Sequence, residues 1–233
     1  MNWFNLVPFV LLGALVGLDV VSFPQAMISR PIVAATASAA LGGHPGLGLA
    51  LGATLELIAL EMLPFGASRY PEWGSASVVG GAIIAGTPGQ TITPTVTSSA
   101  LVLAVLAALA TAWIGGWTMV VLRRLNAIWA RRATPILDTG SPRTVDGLQI
   151  RGLCADLLRG ALLTAIALAV LNPIVDAVIH LWGVPPAQSR AVVVGVSATV
   201  AVAAAWKVFH TTKGAPWFFL AGLAAGAALA WAQ

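Results

Sequence analysis

Polar side chains interrupt an otherwise apolar stretch of this sequence between Gly17 and Glu72. Asp19, Ser22 and Gln25 are spaced by three residues, which would place them on one side of a helical turn. Each can accept a hydrogen bond, and the serine and the glutamine can also donate one. Carboxylates, amides and hydroxyls around a dry pocket suit a neutral ligand that is rich in hydroxyl groups. We therefore predict a binding site for such a ligand, for example a sugar.

Two acidic residues lie in an apolar run that follows this polar break. Glu56 is two residues after Thr54, and Glu61 is a little over one helical turn further on. An acid among apolar residues in a membrane is costly to desolvate, so it marks a functional site by default. The predicted ligand-binding residues are therefore Asp19, Ser22, Gln25, Thr54, Glu56 and Glu61.

A second group of polar residues is expected to have a structural or gating role. Arg30 ends the polar break, and we expect it to pair with an acid rather than to touch the ligand. The alternative for Glu56 is that it forms a buried ion pair with Arg30 that braces the broken helices. After a Pro-Phe-Gly turn, the loop residues Ser68, Arg69 and Glu72 are predicted to form a gate or an interface.

The sequence contains no recognisable catalytic motif. It has no P-loop, no Rossmann glycine pattern and no HExxH motif. Its three histidines, His44, His180 and His210, are far apart in the chain and lie near the ends of apolar segments. We therefore predict no catalytic residue, no metal site and no cofactor.

The composition is that of an integral membrane protein. Hydrophobic residues make up 58% of the chain and charged residues only 9%, whereas an ordinary globular domain carries about 25% charge. The apolar runs are rich in Ala, Leu and Gly and do not alternate, which predicts helices rather than barrel strands. Four arginines beside an apolar run, at positions 123, 124, 131 and 132, follow the positive-inside pattern, so the net charge of +4 does not indicate nucleic-acid binding.

Glycine and proline divide the N-terminal third into segments that are short for a membrane span. Asn5–Gly17, Pro31–Leu41 and Gly74–Gly86 are short, and Pro45–Leu63 is only marginally long enough to cross, since a spanning helix needs about 20 residues. Broken backbone at membrane depth is tolerated only where it is buried in protein or lines a cavity. We predict broken or re-entrant helices in this substrate region, residues 1–97. The alternative is that these segments are ordinary spans that are tilted or kinked.

The rest of the chain is predicted to be more regular. Residues 98–133 read as a long span followed by an amphipathic interfacial helix at Leu122–Ala133, whose arginines face anionic headgroups. Residues 134–147 read as a polar, cytoplasmic loop, and residues 148–233 as the C-terminal spans. The predicted fold is an all-α integral membrane protein: one membrane domain, a polytopic helical bundle with broken helices near its start.

Three runs of residues give this sequence a family resemblance. They are SRPIVAAT at Ser29–Thr36, GHPGLGLALGATLELIAL at Gly43–Leu60 and LPFGASRYPE at Leu63–Glu72. Together they resemble the membrane subunit IIC of the mannose/fructose/sorbose family of the bacterial sugar phosphotransferase system. By this motif match, Gln25, Thr54 and Glu56 fall in the region that lines the family's sugar site.

The resemblance implies a function that is shared among several proteins. A IIC subunit pairs with a second membrane subunit, IID, and the two carry a sugar across the bacterial cytoplasmic (inner) membrane. Soluble IIA and IIB proteins pass phosphate to the sugar, so the resemblance implies that this chain is a transporter subunit and not itself an enzyme. It also implies a trimer of IIC–IID pairs in which the transport unit moves against a fixed scaffold.

The residues alone leave two other functions open. One is a secondary transporter coupled to an ion, in which Asp19, Glu56 or Glu61 carries the proton. The other is a membrane scaffold or receptor without transport activity. The phosphotransferase function needs partner subunits, the ion-coupled transporter works as a single polypeptide, and the scaffold predicts that Glu56→Gln leaves function intact.

Overall fold

The computed structural model describes residues 3–20, 22–60, 69–86, 94–179, 181 and 184–231, and every regular element within these ranges is helical. This confirms the predicted all-α class. A short 3-10 helix at Trp3–Leu6 precedes eight α-helices. They are α1 (Val7–Asp19), α2 (Pro31–Leu41), α3 (Pro45–Ala59), α4 (Trp73–Ala85), α5 (Pro94–Leu137), α6 (Pro142–Ile179), α7 (Pro186–Phe209) and α8 (Ala215–Trp231).

Helices α1, α2 and α4 are as short as the sequence predicts, and α3 ends at Ala59, before the end of the marginal span predicted over Pro45–Leu63. Pro31 is the first residue of α2 and Pro45 is the first residue of α3, where a missing N–H costs nothing. Between them the chain turns through Gly43, whose φ of +83° is in the left-handed region that glycine adopts freely. The 11 residues of α2 and the 15 of α3 give about 16 Å and 22 Å of helix. Neither reaches across a hydrocarbon core of about 30 Å.

Helix α4 lies at the centre of the described fold. Every residue from Gly74 to Ala85 is buried, and α4 packs against α1, α2, α3, α5 and α6. Small residues make this density possible. A Cβ atom on Gly81 would lie 2.6 Å from the carbonyl oxygen of Ala35, and one on Gly52 would lie 2.7 Å from the Cα atom of Ile32. The short helices therefore form a compact body around α4.

Three helices in the described part of the chain are long and apolar enough to cross a membrane, namely α5, α6 and α7. With 44 residues, α5 is about 66 Å long and so continues well past the hydrocarbon core. The amphipathic segment Leu122–Ala133 is helical as predicted, but it is the C-terminal part of α5 and not a separate helix. Helix α8, predicted to span, has 17 residues, fewer than the length of about 20 that a span needs.

The polar loop predicted over residues 134–147 is much shorter in the structure. Helix α5 runs to Leu137 and α6 starts at Pro142, so only Asp138–Ser141 lie between the helices. Gly140, with a φ of +74°, makes the turn. The polar residues on either side stay helical because they lie on solvent-exposed surface, where a helix accepts polar side chains.

Candidate functional site

Asp19 organises the polar break between α1 and α2. It is the last residue of α1 and only 2% exposed. One carboxylate oxygen accepts a hydrogen bond from the backbone N–H of Ala26 at 2.6 Å, and the other accepts one from Ser29 at 2.9 Å. Hydrogen bonds to a charged acceptor are the stronger kind. The carboxylate therefore holds the break folded back over the end of α1.

The break contains two non-glycine residues in the left-handed region. Gln25 has a φ of 57° and Met27 a φ of 63°. For residues with a Cβ atom this conformation is strained, and such strain collects at functional sites and switch regions. It persists only where the surrounding contacts determine the backbone, and the two Asp19 hydrogen bonds are such contacts.

The prediction that Asp19, Ser22 and Gln25 share one side of a helical turn is wrong. Helix α1 ends at Asp19, and the residues that follow form turns and bends. The hydroxyl of Ser22 donates to the carboxylate of Asp156 on α6, whereas Gln25 is exposed and lines a cavity. The helix ends because the Asp19 carboxylate accepts the N–H groups of the returning chain.

A cavity of about 280 Å³ lies between the polar break and the start of α4. This volume is just below the usual range for drug-sized ligands, about 300–1,000 Å³, so the cavity suits a smaller molecule. Polar side chains from the break form one wall, and aromatic residues from the segment before and at the start of α4 form another. The cavity is lined by, among others, Asp19, Gln25, Ser29, Arg30, Tyr70 and Trp73.

Arg30 and Glu56 form an ion pair across the start of α2. The Arg30 side chain is 44% exposed and lines the cavity, whereas the Glu56 side chain is 18% exposed and does not belong to the cavity wall. The second carboxylate oxygen of Glu56 accepts a hydrogen bond from the backbone N–H of Ile32 at 3.3 Å. The structure thus has the Arg30–Glu56 pair that the sequence left as an alternative, but Arg30 is exposed and the pair is not buried as that alternative expected. Glu56 reaches the cavity only through Arg30.

Three of the predicted binding residues that the structure describes do not line the cavity, namely Ser22, Thr54 and Glu56. Thr54 is buried, and its hydroxyl donates to the carbonyl oxygen of Ala50 within α3 at 3.0 Å. Glu61 and Ser68 lie outside the described residues. Of the six predicted binding residues, the structure therefore places Asp19 and Gln25 at the cavity, together with Arg30 from the second group.

The segment before α4 is attached to α5 by several contacts. Glu72 is fully buried and caps α4, since its carboxylate accepts from the N–H of Ser75 at 3.1 Å. Its backbone N–H donates to the carbonyl oxygen of Ala112 at 2.9 Å. Gly116 permits this approach, because a Cβ atom there would lie 2.6 Å from the carbonyl oxygen of Tyr70. The contacts fix the wall of the cavity that Tyr70 provides.

A buried ion pair on α6, Asp156–Arg159, contacts the polar break and the end of α1. It was not predicted from the sequence. Asp156 is fully buried, and it accepts from Nε of Arg159 at 2.8 Å as well as from Ser22. Arg159 also donates to the carbonyl oxygen of Gly17 at 3.2 Å. The one local signal was an acid and a base three residues apart on a helix that becomes apolar.

Comparison with known proteins gives one family over nearly the whole chain. Residues 3–230 match the family described as PTS system sorbose-specific IIC component. The sorbose-specific EIIC component of Klebsiella pneumoniae is 26% identical over 200 residues, which cover 84% of this chain and 71% of that protein.

Two solved structures share the fold. One, described only as a membrane protein, has a TM-score of 0.73 and 19% identity, with 97% of this chain and 87% of that chain covered. The other is a cryo-EM structure of the mannose transporter ManYZ in complex with microcin E492, with a TM-score of 0.59, 18% identity and the same coverage. At these identities the likeness concerns the fold alone.

Proposed function

This chain belongs to the sorbose-specific IIC family of the sugar phosphotransferase system, and we propose that the cavity at its polar break is where the sugar binds. The chain is a multi-pass, sugar-transporting membrane subunit of that system. The family membership also disfavours the ion-coupled transporter and the scaffold that the residues alone left open.

The chemistry of the cavity wall supports sugar binding. Gln25 offers an amide that both donates and accepts, and Arg30 offers guanidinium N–H donors. Tyr70 and Trp73 add aromatic surface on the other side. A small cavity with a few polar groups and apolar walls is the usual form of a small-molecule site. Mannose, fructose and sorbose are the substrate class that this family suggests.

The pairing of Arg30 with Glu56 supports a division of roles at this site. Glu56 fixes the guanidinium from one side through the ion pair and contacts the start of α2 through its second oxygen. Arg30 is then the residue that faces the sugar, and Glu56 is a positioning residue. Asp19 acts in the same indirect way, because its carboxylate is occupied by the backbone of the break.

The proposed transport unit includes partner subunits. A IID membrane subunit would complete the transport unit in the bacterial cytoplasmic (inner) membrane, and soluble IIA and IIB proteins would phosphorylate the sugar as it arrives inside. The assembly would be a trimer of IIC–IID pairs. Family membership supports these partners.

The test is phosphoenolpyruvate-dependent uptake of labelled mannose, fructose and sorbose into vesicles that hold this chain with its IID, IIA and IIB partners. Gln25→Ala removes a neutral hydrogen-bonding group, so we expect the half-saturation concentration to rise about two- to tenfold. Gln149→Ala, on the exposed part of α6, is the matched control and should leave uptake unchanged. Uptake that does not need phosphoenolpyruvate would contradict the function, and an unchanged Gln25→Ala variant would contradict the site.

A further inference from the structure

An open apolar groove runs between α5 and α6 on the outside of the described fold. Its volume is about 790 Å³, and on α5 it extends from Ala110 to Trp129. That is about 28 Å along the helix axis, and its last part lies in the amphipathic segment Leu122–Ala133. Large side chains along it, including Ile114, Val121 and Ile166, are more than half exposed. The groove is therefore large enough for a lipid chain and opens to the outside of the described fold.

An arginine lies against the edge of this groove. The guanidinium of Arg69 lies 4.1 Å from the ring centre of Trp113 and 4.2 Å from that of Trp117, and Trp117 lines the groove. Both indoles are more than half exposed. Stacking on ring faces leaves the N–H groups at the edge of the guanidinium free to point outward. Arg69 thus presents donors at an apolar, outward-facing surface.

The charge of Arg69 is not compensated by a carboxylate in the described part of the chain, where the ion pairs are Arg30–Glu56 and Asp156–Arg159. Glu72, in the same segment, is fully buried and caps α4. Arg124 adds to the positive charge, since it follows Trp117 by two helical turns on the same face of α5 and is exposed. A charge at a membrane-facing surface is costly without a partner.

We propose that this groove and Arg69 form a binding site for an anionic phospholipid. The acyl chain lies in the groove along α5 and α6, and the headgroup phosphate is bound by Arg69, with Arg124 adding to the attraction. The phosphate supplies the counter-charge that the described residues do not provide. The lipid would hold the segment before α4 against α5, beside the wall of the sugar cavity.

The test is native mass spectrometry of the full chain, purified with any subunits that remain bound and titrated with dioleoyl phosphatidylglycerol or dioleoyl phosphatidylcholine. Phosphatidylglycerol should bind several-fold more tightly. One basic residue near a membrane surface is worth about fivefold in the affinity for an anionic lipid, so Arg69→Gln should weaken binding by about that factor. Arg190→Gln, which removes an exposed arginine from α7, should leave binding unchanged.

Further measurements distinguish the contribution of the headgroup to the affinity from that of the acyl chain, and test whether a lipid or another polypeptide occupies the groove. Arg69→Lys keeps the charge and should retain most of the affinity. Dihexanoyl phosphatidylglycerol, with the same headgroup and short chains, should bind much more weakly than the dioleoyl lipid. The proposal is overturned by equal binding of both headgroups, by full affinity in Arg69→Gln, or by equal binding of the short-chain lipid. It is also overturned if Leu162→Cys, in the groove wall, cross-links to another polypeptide in native membranes.

Discussion

Replacement of Asp19 by Asn should release the polar break while changing the shape of the side chain very little. The carboxylate accepts one backbone N–H with each oxygen, from Ala26 and from Ser29. An amide keeps one acceptor oxygen, but it places an N–H₂ donor where the second oxygen was. One of the two hydrogen bonds is therefore lost, and a donor then faces a donor.

The size of the effect on opening follows from comparing the free energy of the Asp19 hydrogen bonds with the cost of the strained backbone. Two hydrogen bonds to a charged group contribute about 3–6 kcal/mol, and two residues in the left-handed region, Gln25 and Met27, cost about 2–4 kcal/mol. With one hydrogen bond left, the contribution falls to about 1.5–3 kcal/mol, which is about equal to that cost. The opening equilibrium of the break should then rise by about 10- to 150-fold.

Hydrogen–deuterium exchange of the protein in nanodiscs measures this opening directly. Peptides that cover residues 22–30 should exchange faster in Asp19→Asn, whereas Asp138→Asn, in the turn between α5 and α6, is the matched control and should change nothing there. Met27→Gly should restore part of the protection in the Asp19→Asn background, since glycine adopts its φ of 63° without strain. Unchanged exchange over residues 22–30 in Asp19→Asn would refute the idea that this carboxylate holds the break.

Three other substitutions test separate parts of the structure. Gly116→Ala should lower the yield of folded protein in detergent, because its Cβ atom would lie 2.6 Å from the carbonyl oxygen of Tyr70. The control Gly147→Ala, at a helical position with open space, should be neutral or stabilising. Equal yields of the two variants would show that the close approach at Gly116 is unimportant. Arg30→Gln and Glu56→Gln should each weaken sugar binding, but the double variant should bind little worse than Arg30→Gln alone. Additive losses of binding free energy in this double-mutant cycle would argue against a positioning role for Glu56. Arg159→Met should destabilise the protein by about 3–5 kcal/mol, because it leaves a buried carboxylate unpaired, and an unchanged midpoint of thermal unfolding would contradict this.

The short helices could be predicted well from the sequence because their ends carry local signals. Proline at the first position and glycine just after the last gave both ends of α2 correctly, Pro31 and Leu41. The length of the polar loop was overestimated because its ends carry no such clear local signals. Polar composition is typical both of a loop and of an exposed helix, and between Thr134 and Asp146 most of the chain is helical.

The site could be predicted only in part, because its contacts join residues that are distant in sequence. The polar break was recognised, since polar groups in an apolar chain stand out. Arg30 was expected to pair with an acid, which it does, but its place in the cavity wall was not expected. Nothing local indicates that Ser22 donates to Asp156, which is 134 residues away. Trp73 lines the cavity through the packing of α4 against the break. A spacing of three residues predicted a shared helical face that does not form, because spacing carries that meaning only inside a helix.

The most direct test of the central claim, that the sugar binds at the polar break, is protection of a cysteine from alkylation. Cys154, the single native cysteine, is first replaced by serine, and Gln25→Cys is then introduced in the cavity wall. The membrane complex is treated with N-ethylmaleimide in the presence and absence of mannose, fructose or sorbose. The sugar that supports phosphoenolpyruvate-dependent uptake should slow the labelling at position 25, and should not slow that of Gln149→Cys on the exposed part of α6. Equal labelling of Gln25→Cys with and without a transported sugar would contradict the claim and move the binding site elsewhere in the chain.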